Sequence, residues 1–597
     1  MNFNKQQEKA IKIKDGAVAI IAGAGSGKST VLKERTRYLI NTYKIKEKDI
    51  AILSFSNPAK ENMINKLKEL NITNVNVHTF HSLSLHIALD AGYDCNKFND
   101  KGSDKYNVVN RFRQIDKKLT NSKIENIFEF IGYQKRYGLT YKDDFKEHEL
   151  MVSEYEIKKY FKIYEDYKKE KHLTDFEDWI NIAISILEKD KANKYTYNYL
   201  MVDEHQDTNL IQNKLIRLLC PKENIFCVFD FRQSIFGFTG ANPQYCMSFT
   251  NDFKNAKVIN LDINYRSNQD IVNQANNFIK KYYGNYKYYS DGISNSKEKG
   301  HIQKITTYSK QEEAKVIIDK IKELMLKGIK LKDIAILYRL KSHADYIVPE
   351  LKKNQIDFDI KNDGTFFKRK EVKIVISLLR LINNTNDDEA FELVYSAHTK
   401  NLMLSKKDLE NIKIHANRYN LNLFQALTSI QIQPMYKQKY INTFVKNINA
   451  LKLLIDKQIK LSQLVKRIYI LFNIEGYIED NWKTSDQDER KNSINTLQQF
   501  AKGTDVDAFI KFANGELEYK KTGLKKKGVQ LMTIHSSKGM EFDNVFIVGI
   551  EDGKFPHDKS SLIEEARVFY VGITRPKEKL YLSQIYGGNK FVEEYFH

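Results

Sequence analysis

The stretch AIIAGAGSGKST, residues 19–30, restricts the possible folds of this chain more than any other feature of the sequence. The apolar run of residues 17–21 predicts a buried strand, and the residues from Lys28 onward predict an amphipathic helix. The three glycines between them allow several backbone N–H groups to face one anion, and the helix N-terminus adds a partial positive charge. The stretch therefore predicts a phosphate-binding loop; a glycine-rich turn without a ligand is the alternative interpretation.

Two side chains of this loop have the chemistry to bind a nucleotide and its cation. In a phosphate loop the lysine reaches the β- and γ-phosphates and the next hydroxyl contacts Mg²⁺, and these are the roles predicted for Lys28 and Ser29. The strict pattern G-x-x-x-x-G-K-[ST] fails at its first position, which is Ala22. The candidate nucleotide-binding residues of the loop are Ala22, Gly23, Ala24, Gly25, Ser26, Gly27, Lys28, Ser29 and Thr30.

Length and composition indicate the class of protein. A chain of 597 residues is too long for one core, so several domains are expected. The net charge of +20 is distributed along the chain and favours a polyanionic partner, most often nucleic acid, although a general enrichment in lysine would give the same value.

The four cysteines have no C-x-x-C spacing, which argues against a zinc site or a disulfide scaffold and for a reducing compartment. With no signal-peptide pattern and no apolar run of about 20 residues, a cytoplasmic protein without membrane contact is expected.

A second candidate nucleotide element is YNYLMVDEHQDTN, residues 197–209. Its apolar part predicts a strand that ends in two carboxylates, Asp203 and Glu204, and the end of a strand is where a parallel sheet presents catalytic groups. Asp203 is a candidate Mg²⁺ ligand, and Glu204 is a candidate general base for the attacking water. An acidic surface loop is the alternative.

The motif DEHQDTN resembles the Walker B motif of the UvrD/Rep/PcrA group of superfamily 1 helicases, and further stretches resemble the other family motifs in the family order. The resemblance spans nearly the whole chain. Its further motifs are FNKQQ (3–7), ILSFSNPAKENM (52–63), HTFHSLSL (78–85), DFRQSIFGFTGAN (230–242), LDINYRSNQDI (261–271), DIAILYRLKS (333–342), FFKRKEVK (366–373), VQLMTIHSSKGMEFDNVFIVGIEDGKFPH (529–557) and EEARVFYVGITRPKEKLYLS (564–583).

The resemblance implies an α/β fold with two RecA-like parallel-sheet motor domains of the P-loop NTPase type, each with a mainly helical insertion. The alternation of apolar runs with helical patterns predicts the same two sheets. The expected domains are a first motor of residues 1–85 and 195–262 with its insertion 86–194, and a second motor of residues 263–365 and 523–597 with its insertion 366–522.

The resemblance also implies an ATP site between the two motors, with ATP and Mg²⁺ as cofactors. Lys28, Asp203, Glu204, Gln233, Arg266 and Arg575 are the expected catalytic residues; among them Gln233 senses the γ-phosphate and the two arginines reach it across the cleft. Ser29 and Asp203 are the expected metal ligands. Gln7 is expected to read the adenine edge, Tyr265 to stack on the base, and Glu541 to contact the ribose. Thr30 stands where the family usually has an arginine near the adenine.

By the same resemblance, a strand of DNA crosses the motors. Single strands are bound by aromatic faces together with polar and basic groups. Ordinary core packing is the alternative for Phe55 and Phe80, and Thr239 replaces an arginine found in many relatives. The expected nucleic-acid contacts are Phe55, Asn57, Phe80, His81, Phe236, Phe238, Thr533 and His535.

The function implied by the resemblance is that of an ATP-dependent DNA helicase that moves 3′ to 5′ and unwinds duplex DNA in repair, replication or recombination. Its expected partners are single-stranded DNA, junctions with duplex, and a nuclease or a repair or replication protein. The residues 397–413 lack the glycine-rich loop of many relatives, which leaves open a translocase that strips proteins from DNA or serves a partner nuclease in repair or anti-phage defence. A non-enzymatic clamp switched by nucleotide is a third possibility, disfavoured because Lys28, Glu204 and Gln233 are intact.

Overall fold

The computed structural model describes residues 3–100, 103–360, 367, 369–397, 402–482, 484–501, 503–514, 528–558 and 560–596. Two compact units contain these residues: the first comprises Met1–Leu119, Lys123–Leu340 and Met532–His597, and the second comprises Thr120–Ser122 and Lys341–Leu531. The stretches 366–373 and 397–413 each include residues that lie outside these ranges, namely 366, 368 and 398–401. Among the described residues no helix has an apolar stretch long enough to cross a membrane.

The first sheet has six parallel strands in the order β3-β2-β4-β5-β1-β6. Most of its strands are continuous apolar runs buried on both faces, as expected for a parallel sheet covered by helices. The order places the carboxyl ends of β4, β5 and β1 side by side, so the segments that follow these strands meet at one edge. The strands are β1 (Val18–Ala22), β2 (Ile50–Ser54), β3 (Asn76–Thr79), β4 (Tyr199–Val202), β5 (Ile225–Phe229) and β6 (Lys257–Leu261).

The second sheet also has six strands, in the order β7-β12-β11-β8-β10-β9. The pairs β7–β12, β12–β11, β11–β8 and β10–β9 are parallel. The prediction of an α/β fold with two parallel-sheet domains is therefore confirmed. The strands are β7 (His301–Thr307), β8 (Ile334–Tyr338), β9 (Phe358–Ile360), β10 (Val529–Thr533), β11 (Phe542–Ile550) and β12 (Pro576–Ile585).

Helices surround the strands of the first unit, and five of them lie in the segment between β3 and β4. This segment has its own apolar core, in which helix Glu154–Glu170 contributes Tyr160, Phe161 and Tyr164. The helices that lie in or extend into the first unit are Lys5–Lys12, Lys28–Tyr43, Asn57–Lys68, Phe80–Asp90, Ser103–Ile115, Asn121–Lys135, Glu154–Glu170, Phe176–Lys189, Leu210–Leu219, Gln244–Met247, Phe249–Asp252, Gln269–Tyr283, Lys310–Leu326, Leu562–Ile573 and Lys590–Phe596.

The second unit is mainly helical. Helix Lys370–Asn383 is buried along most of its length, and the apolar side chains of the neighbouring helices pack around it. Its buried Glu371 accepts a hydrogen bond from Nη1 of Arg490 at 3.2 Å. The helices of this unit are Ala344–Lys353, Lys370–Asn383, Asp388–Ala397, Lys406–Tyr419, Leu423–Ser429, Met435–Asp456, Leu461–Leu471, Ile474–Asn481, Thr484–Phe500 and Val506–Asn514.

A buried ionic network joins three helices of the segment between β3 and β4. Nζ of Lys168 lies 2.7 Å from Asp175 and 2.6 Å from Asp178, and Nζ of Lys135 lies 2.5 Å from Asp175 and also contacts Asp178. Burial lowers the pKa of Lys135, but the surrounding carboxylates outweigh burial and raise that pKa well above its usual range. Asp175 and Asp178 belong to the one group of acidic side chains with metal-binding spacing among the described residues, and the two ammonium groups occupy the position of a cation there.

We expect Lys168→Met to lower the thermal stability of the protein strongly. Removal of one partner from a buried ion pair leaves an uncompensated charge and costs about 3–5 kcal/mol. The matched control is Lys162→Met on the same helix, whose half-exposed pair with Asp166 is worth at most about 1 kcal/mol. Thermal unfolding followed by fluorescence compares the two variants with wild type, and equal decreases in Tm would contradict a structural role for the network.

Candidate functional site

The phosphate loop leaves β1 and leads into helix Lys28–Tyr43. Gly25 and Gly27 have φ angles of 69° and 84°, a left-handed conformation that glycine adopts without steric cost. The helix begins directly after Gly27 and has no side-chain cap, so the N–H groups of its first turn are available to an anion. Nζ of Lys28 folds back over the loop and donates to the carbonyl of Ala22 at 3.2 Å.

The segment Asn264–Ser267, which follows β6, closes against this loop. The N–H of Tyr265 donates to the carbonyl of Gly25 at 2.9 Å. Oδ1 of the buried Asn264 accepts from the N–H of Arg266 at 2.7 Å and from the N–H of Ser267 at 2.9 Å. A Cβ at Gly25 would lie 2.7 Å from Cβ of Arg266 and 2.8 Å from Oδ1 of Asn264. Gly25 is therefore required both by its backbone angle and by this close approach.

The residues predicted to bind adenine lie together on one side of the loop. Nε2 of Gln7 donates to the carbonyl of Ser26 at 3.2 Å, and Asn4 caps the helix that carries Gln7. Nδ2 of the same Asn4 donates to the hydroxyl of Tyr265 at 3.0 Å, while the Tyr265 side chain is half exposed. Asn4 thus links the predicted edge-reading amide to the predicted stacking ring.

The two carboxylates at the end of β4, that of the buried Asp203 and that of the partly buried Glu204, differ in pKa. Burial, together with the neighbouring charge of Glu204, raises the pKa of Asp203 to about 7. Burial also raises the pKa of Glu204, but the positive charges of Lys28 and Lys538 and a 2.5 Å hydrogen bond from Gln206 outweigh it and lower that pKa to about 2. Glu204 also has a left-handed φ of 53°, which is a strained conformation for a non-glycine residue. The pair therefore holds one ionised carboxylate, suited to accept a proton, beside one that binds a proton or a cation.

The predicted sensor and one predicted arginine are in direct contact. Nε2 of Gln233 donates to Asp230 at 2.6 Å, and its Oε1 accepts from Nη2 of Arg575 at 3.2 Å. Arg575 is buried, and its Nε also donates to the carbonyl of Val571 at 2.8 Å. Burial and the charge of the nearby Arg266 lower the pKa of Arg575 to about 9.

The other predicted arginine lies beside the predicted ribose contact. Nε of Arg266 donates to Glu541 at 2.9 Å, and its Nη1 donates to the carbonyl of Thr574 at 3.1 Å. Burial tends to raise the pKa of Glu541, but Arg266 and Lys577 outweigh it and lower that pKa. Arg266 and Arg575 therefore converge near Thr574, close to the phosphate loop.

Lys538 is a residue of the site that sequence reasoning missed. It follows β10 and contacts Asp207 and the carbonyl of Gln233, the latter at 2.7 Å. Its Nζ lies 5.0 Å from the ring centre of Phe236. The sequence gives no local signal for this role because lysine is frequent throughout the chain. Asn264, the last residue of the short strand Ile263–Asn264, was missed for a similar reason, since a single asparagine there has no distinguishing pattern.

Four of the residues predicted to contact DNA form one aromatic row, defined by Phe55, Phe236, Phe238 and His535. Phe55 and Phe236 are stacked with centroids 5.3 Å apart, Phe238 is 6.0 Å from Phe236, and His535 is 6.3 Å from Phe238. Phe238 is 61% exposed. Burial, with smaller effects from Arg339 and Lys538, lowers the pKa of His535 to about 4, so this ring is neutral at pH 7. The row combines residues that are almost 500 positions apart.

The other predicted strand contacts lie outside this row. Asn57 is exposed at the start of helix Asn57–Lys68, and Oγ1 of Thr533 accepts from the N–H of Ser536 at 3.2 Å. His81 is half-buried, with its ring 5.5 Å from that of Phe176. The predicted DNA contact of Phe80 is corrected. Its side chain is 2% exposed and packs in the apolar core, so this ring has a structural role in the core.

We expect Gly25→Ala to abolish nucleotide binding, because the new methyl group would displace Asn264 and Arg266. The matched control is Gly16→Ala, which has a φ of 92° but no atom within 4 Å of the added Cβ. Both variants adopt an unfavourable backbone angle at a cost of about 1–2 kcal/mol. Titration with a fluorescent ATP analogue separates the effects, and equal losses of affinity would show that backbone strain alone is responsible.

Comparison with known proteins agrees with this geometry. Residues 3–254 match the UvrD/REP helicase N-terminal domain, and residues 259–587 match the UvrD-like helicase C-terminal domain. The chain is 31% identical to the ATP-dependent DNA helicase Rep of Buchnera aphidicola subsp. Acyrthosiphon pisum, over 98% of this chain and 95% of that protein. It is 28% identical to the ATP-dependent DNA helicase PcrA of Staphylococcus epidermidis, over 98% of this chain and 83% of that protein. The resemblance predicted from the motifs is confirmed, and the chain belongs to the UvrD-like family of ATP-dependent DNA helicases.

Proposed function

We propose that this protein hydrolyses ATP to move 3′ to 5′ along single-stranded DNA and to unwind duplex DNA in repair, replication or recombination. The observation that carries the proposal is that one short segment, residues 230–238, contributes to both sites. Gln233 contacts Arg575 in the nucleotide site, while Phe236 and Phe238 belong to the aromatic row. A movement of Gln233 that follows loss of the γ-phosphate is therefore only a few residues away from the rings that contact the DNA strand in this proposal.

In the proposed reaction Glu204 accepts the proton of the attacking water. Its low pKa keeps it ionised at neutral pH, and the fixed positive charge of Lys28 favours this state. Lys28, Arg266 and Arg575 stabilise the charge that develops on the γ-phosphate, since guanidinium groups suit phosphate oxygens. Gln233 orients the water or the γ-phosphate through its side-chain amide.

The residues present fit a magnesium ion. Asp203 supplies a buried carboxylate whose pKa is raised by burial and by the neighbouring charge of Glu204, and Ser29 supplies a hydroxyl in the first turn after the phosphate loop. Hard oxygen donors of this kind are those that Mg²⁺ prefers. When bound, the ion neutralises charge on the β- and γ-phosphates.

Nucleotide specificity in this proposal comes from Gln7, which reads the adenine edge, and Tyr265, which stacks on one face of the base. Thr30 offers no second stacking surface, so base binding relies on Tyr265. Glu541 contacts the ribose. The loop residues from Ala22 to Thr30 bind the phosphates through backbone N–H groups.

The DNA strand in this proposal lies along the aromatic row, where bases stack on exposed ring faces. Asn57, His81 and Thr533 contribute polar contacts to the strand. We place the two motors at residues 1–85 with 195–262 and at residues 263–365 with 523–597, and the helical insertions at 86–194 and 366–522. Single-stranded DNA, its junctions with duplex, and a nuclease or a repair or replication protein are the proposed partners.

A second candidate function is that of a translocase with little unwinding activity of its own, which strips proteins from DNA or serves a nuclease. The sequence of residues 397–413, without the glycine-rich loop of many relatives, favours it. Strand displacement on duplexes with a 3′ tail, a 5′ tail or blunt ends decides between the two. Displacement of the 3′-tailed duplex alone supports the helicase. Release of streptavidin from a strand end without displacement of the duplex supports the translocase. A protein that neither displaces duplex nor releases streptavidin, but binds DNA in a nucleotide-dependent way, is a clamp.

We expect Glu204→Gln to lower DNA-stimulated ATP turnover by about 10²- to 10⁴-fold, because the general base is lost. ATP binding remains close to wild type, since the amide preserves shape. The matched control is Glu188→Gln, whose carboxylate forms a surface ion pair with Lys214. Phosphate release measured at saturating ATP tests both variants, and wild-type turnover in Glu204→Gln would refute its assignment.

We expect Phe238→Ala to weaken single-strand binding by about 1–3 kcal/mol, because one stacking surface is removed. The dependence of affinity on salt remains unchanged, since stacking releases no counterions. Tyr308→Ala is the matched control: this ring is 70% exposed and follows the edge strand β7, which lies four positions from β10 in the second sheet. Fluorescence anisotropy over a salt series measures both, and an unaltered affinity in Phe238→Ala would place the strand elsewhere.

A further inference from the structure

Arg232 is a buried arginine adjacent in sequence to the sensor Gln233, and it has no part in the proposed contacts to nucleotide or DNA. Its side chain is 4% exposed, and three aromatic rings surround the guanidinium. The ring centres of Phe231, Tyr570 and Tyr289 lie 5.5, 5.6 and 5.8 Å from its Cζ. A buried cation needs both this aromatic contact and an anionic partner to offset the loss of water.

The anionic partner is Asp230, whose two carboxylate oxygens have separate roles. Oδ1 accepts from Nε of Arg232 at 2.7 Å, and Oδ2 accepts from Nε2 of Gln233 at 2.6 Å. Asp230 is 0% exposed, so these donors replace its water. Arg232 thereby holds the carboxylate in the position from which it binds the sensor amide.

This arrangement fixes the orientation of the Gln233 amide by chemistry alone. An ionised carboxylate can only accept a hydrogen bond and a guanidinium can only donate one. The NH₂ group of Gln233 must therefore face Asp230, and its oxygen must face Arg575. The result is a continuous buried chain from Arg232 through Asp230 and Gln233 to Arg575.

Arg232 also contacts parts of the site that are distant in sequence. Nη1 donates to the carbonyl of Ser290 at 3.2 Å, and Nη2 lies 3.1 Å from the position of a Cβ at Gly23 in the phosphate loop. Tyr570 belongs to helix Leu562–Ile573, which ends just before Arg575. The guanidinium therefore lies between the phosphate loop and the helix that leads to the catalytic arginine.

We propose that Arg232 is a positioning residue for ATP hydrolysis, which acts through Asp230 to hold the amide oxygen of Gln233 toward Arg575. The inference rests on the proposed ATPase function. Arg232 does not touch the nucleotide in this proposal. Loss of its guanidinium leaves the backbone N–H of residue 232, at 3.2 Å, as the remaining donor to Oδ1 of Asp230, and this weaker hold allows the carboxylate and the Gln233 amide to turn. The planar fork of arginine is needed, because lysine cannot both stack between rings and bind Asp230 along a fixed direction.

The test is a double-mutant cycle between Arg232→Gln and Gln233→Ala. We expect Arg232→Gln to lower kcat by about 10- to 100-fold, as misplacement of a catalytic group does, with little change in KM for ATP. In the Gln233→Ala background, the same substitution has almost no further effect on kcat, because the group it positions is absent. Arg232→Lys restores the charge but recovers only part of kcat.

A second readout does not depend on turnover. ADP with aluminium fluoride mimics the transferring phosphoryl group, so Arg232→Gln is expected to weaken its binding while the affinity for ADP alone stays near wild type. Thermal unfolding of every variant confirms that it is folded.

The matched control is Arg35→Gln. Arg35 is also buried, with its Cζ 4.4 Å from the ring centre of Phe226, but it donates to carbonyls of residues such as Ala10 and Lys14 rather than to Asp230 or Gln233. It is expected to lose thermal stability with unchanged kcat.

Two results would overturn the inference and leave the proposed function intact. One is an equal loss of kcat from Arg232→Gln in the wild-type and Gln233→Ala backgrounds. The other is a loss of kcat from Arg232→Gln no greater than that from Arg35→Gln. Absence of DNA-stimulated ATP hydrolysis in the wild-type protein would overturn the proposed function and this inference together.

Discussion

The hydrogen bond between Gln233 and the buried Arg575 is the interaction on which the rest of the nucleotide site depends. A guanidinium without water is costly unless every donor has a partner, and Arg575 finds its partners in Gln233, Val571, Met540 and Thr574. Among these partners, Gln233 belongs to the segment that follows β5 of the first sheet, whereas the other three lie near the second sheet. The need to satisfy this arginine therefore fixes where the segments of the two sheets meet.

The charged groups near this contact differ in pKa because their electrostatic surroundings differ. Asp203, which is buried, and Glu204, which is partly buried, are neighbours in sequence, yet the pKa of Asp203 is raised and that of Glu204 is lowered. The difference arises because Lys28 and Lys538 and the Gln206 amide favour the ionised form of Glu204. A proton acceptor and a candidate cation ligand thus coexist at one strand end, as the proposed chemistry requires.

The segment of residues 230–238 joins these charges to the aromatic row. Its first half is buried around Asp230, and its second half presents Phe238 to solvent. Lys538 contacts both halves, since it binds the carbonyl of Gln233 and lies over the ring of Phe236. The segment thus has hydrogen bonds at one end and exposed rings at the other, and in the proposed mechanism it transmits a change from the nucleotide to the DNA strand.

The sequence by itself determined the two parallel sheets, the phosphate loop and the carboxylates at the end of β4, because apolar periodicity and glycine spacing act over short ranges of chain. Only the tertiary structure decided which side chains meet. It buried Phe80 in the core, placed Phe55 in the aromatic row, and brought Asn264, Lys538 and Arg232 into the site. These contacts follow from strand order, which brings together residues up to several hundred positions apart. Local sequence patterns do not predict contacts between residues so distant in the chain.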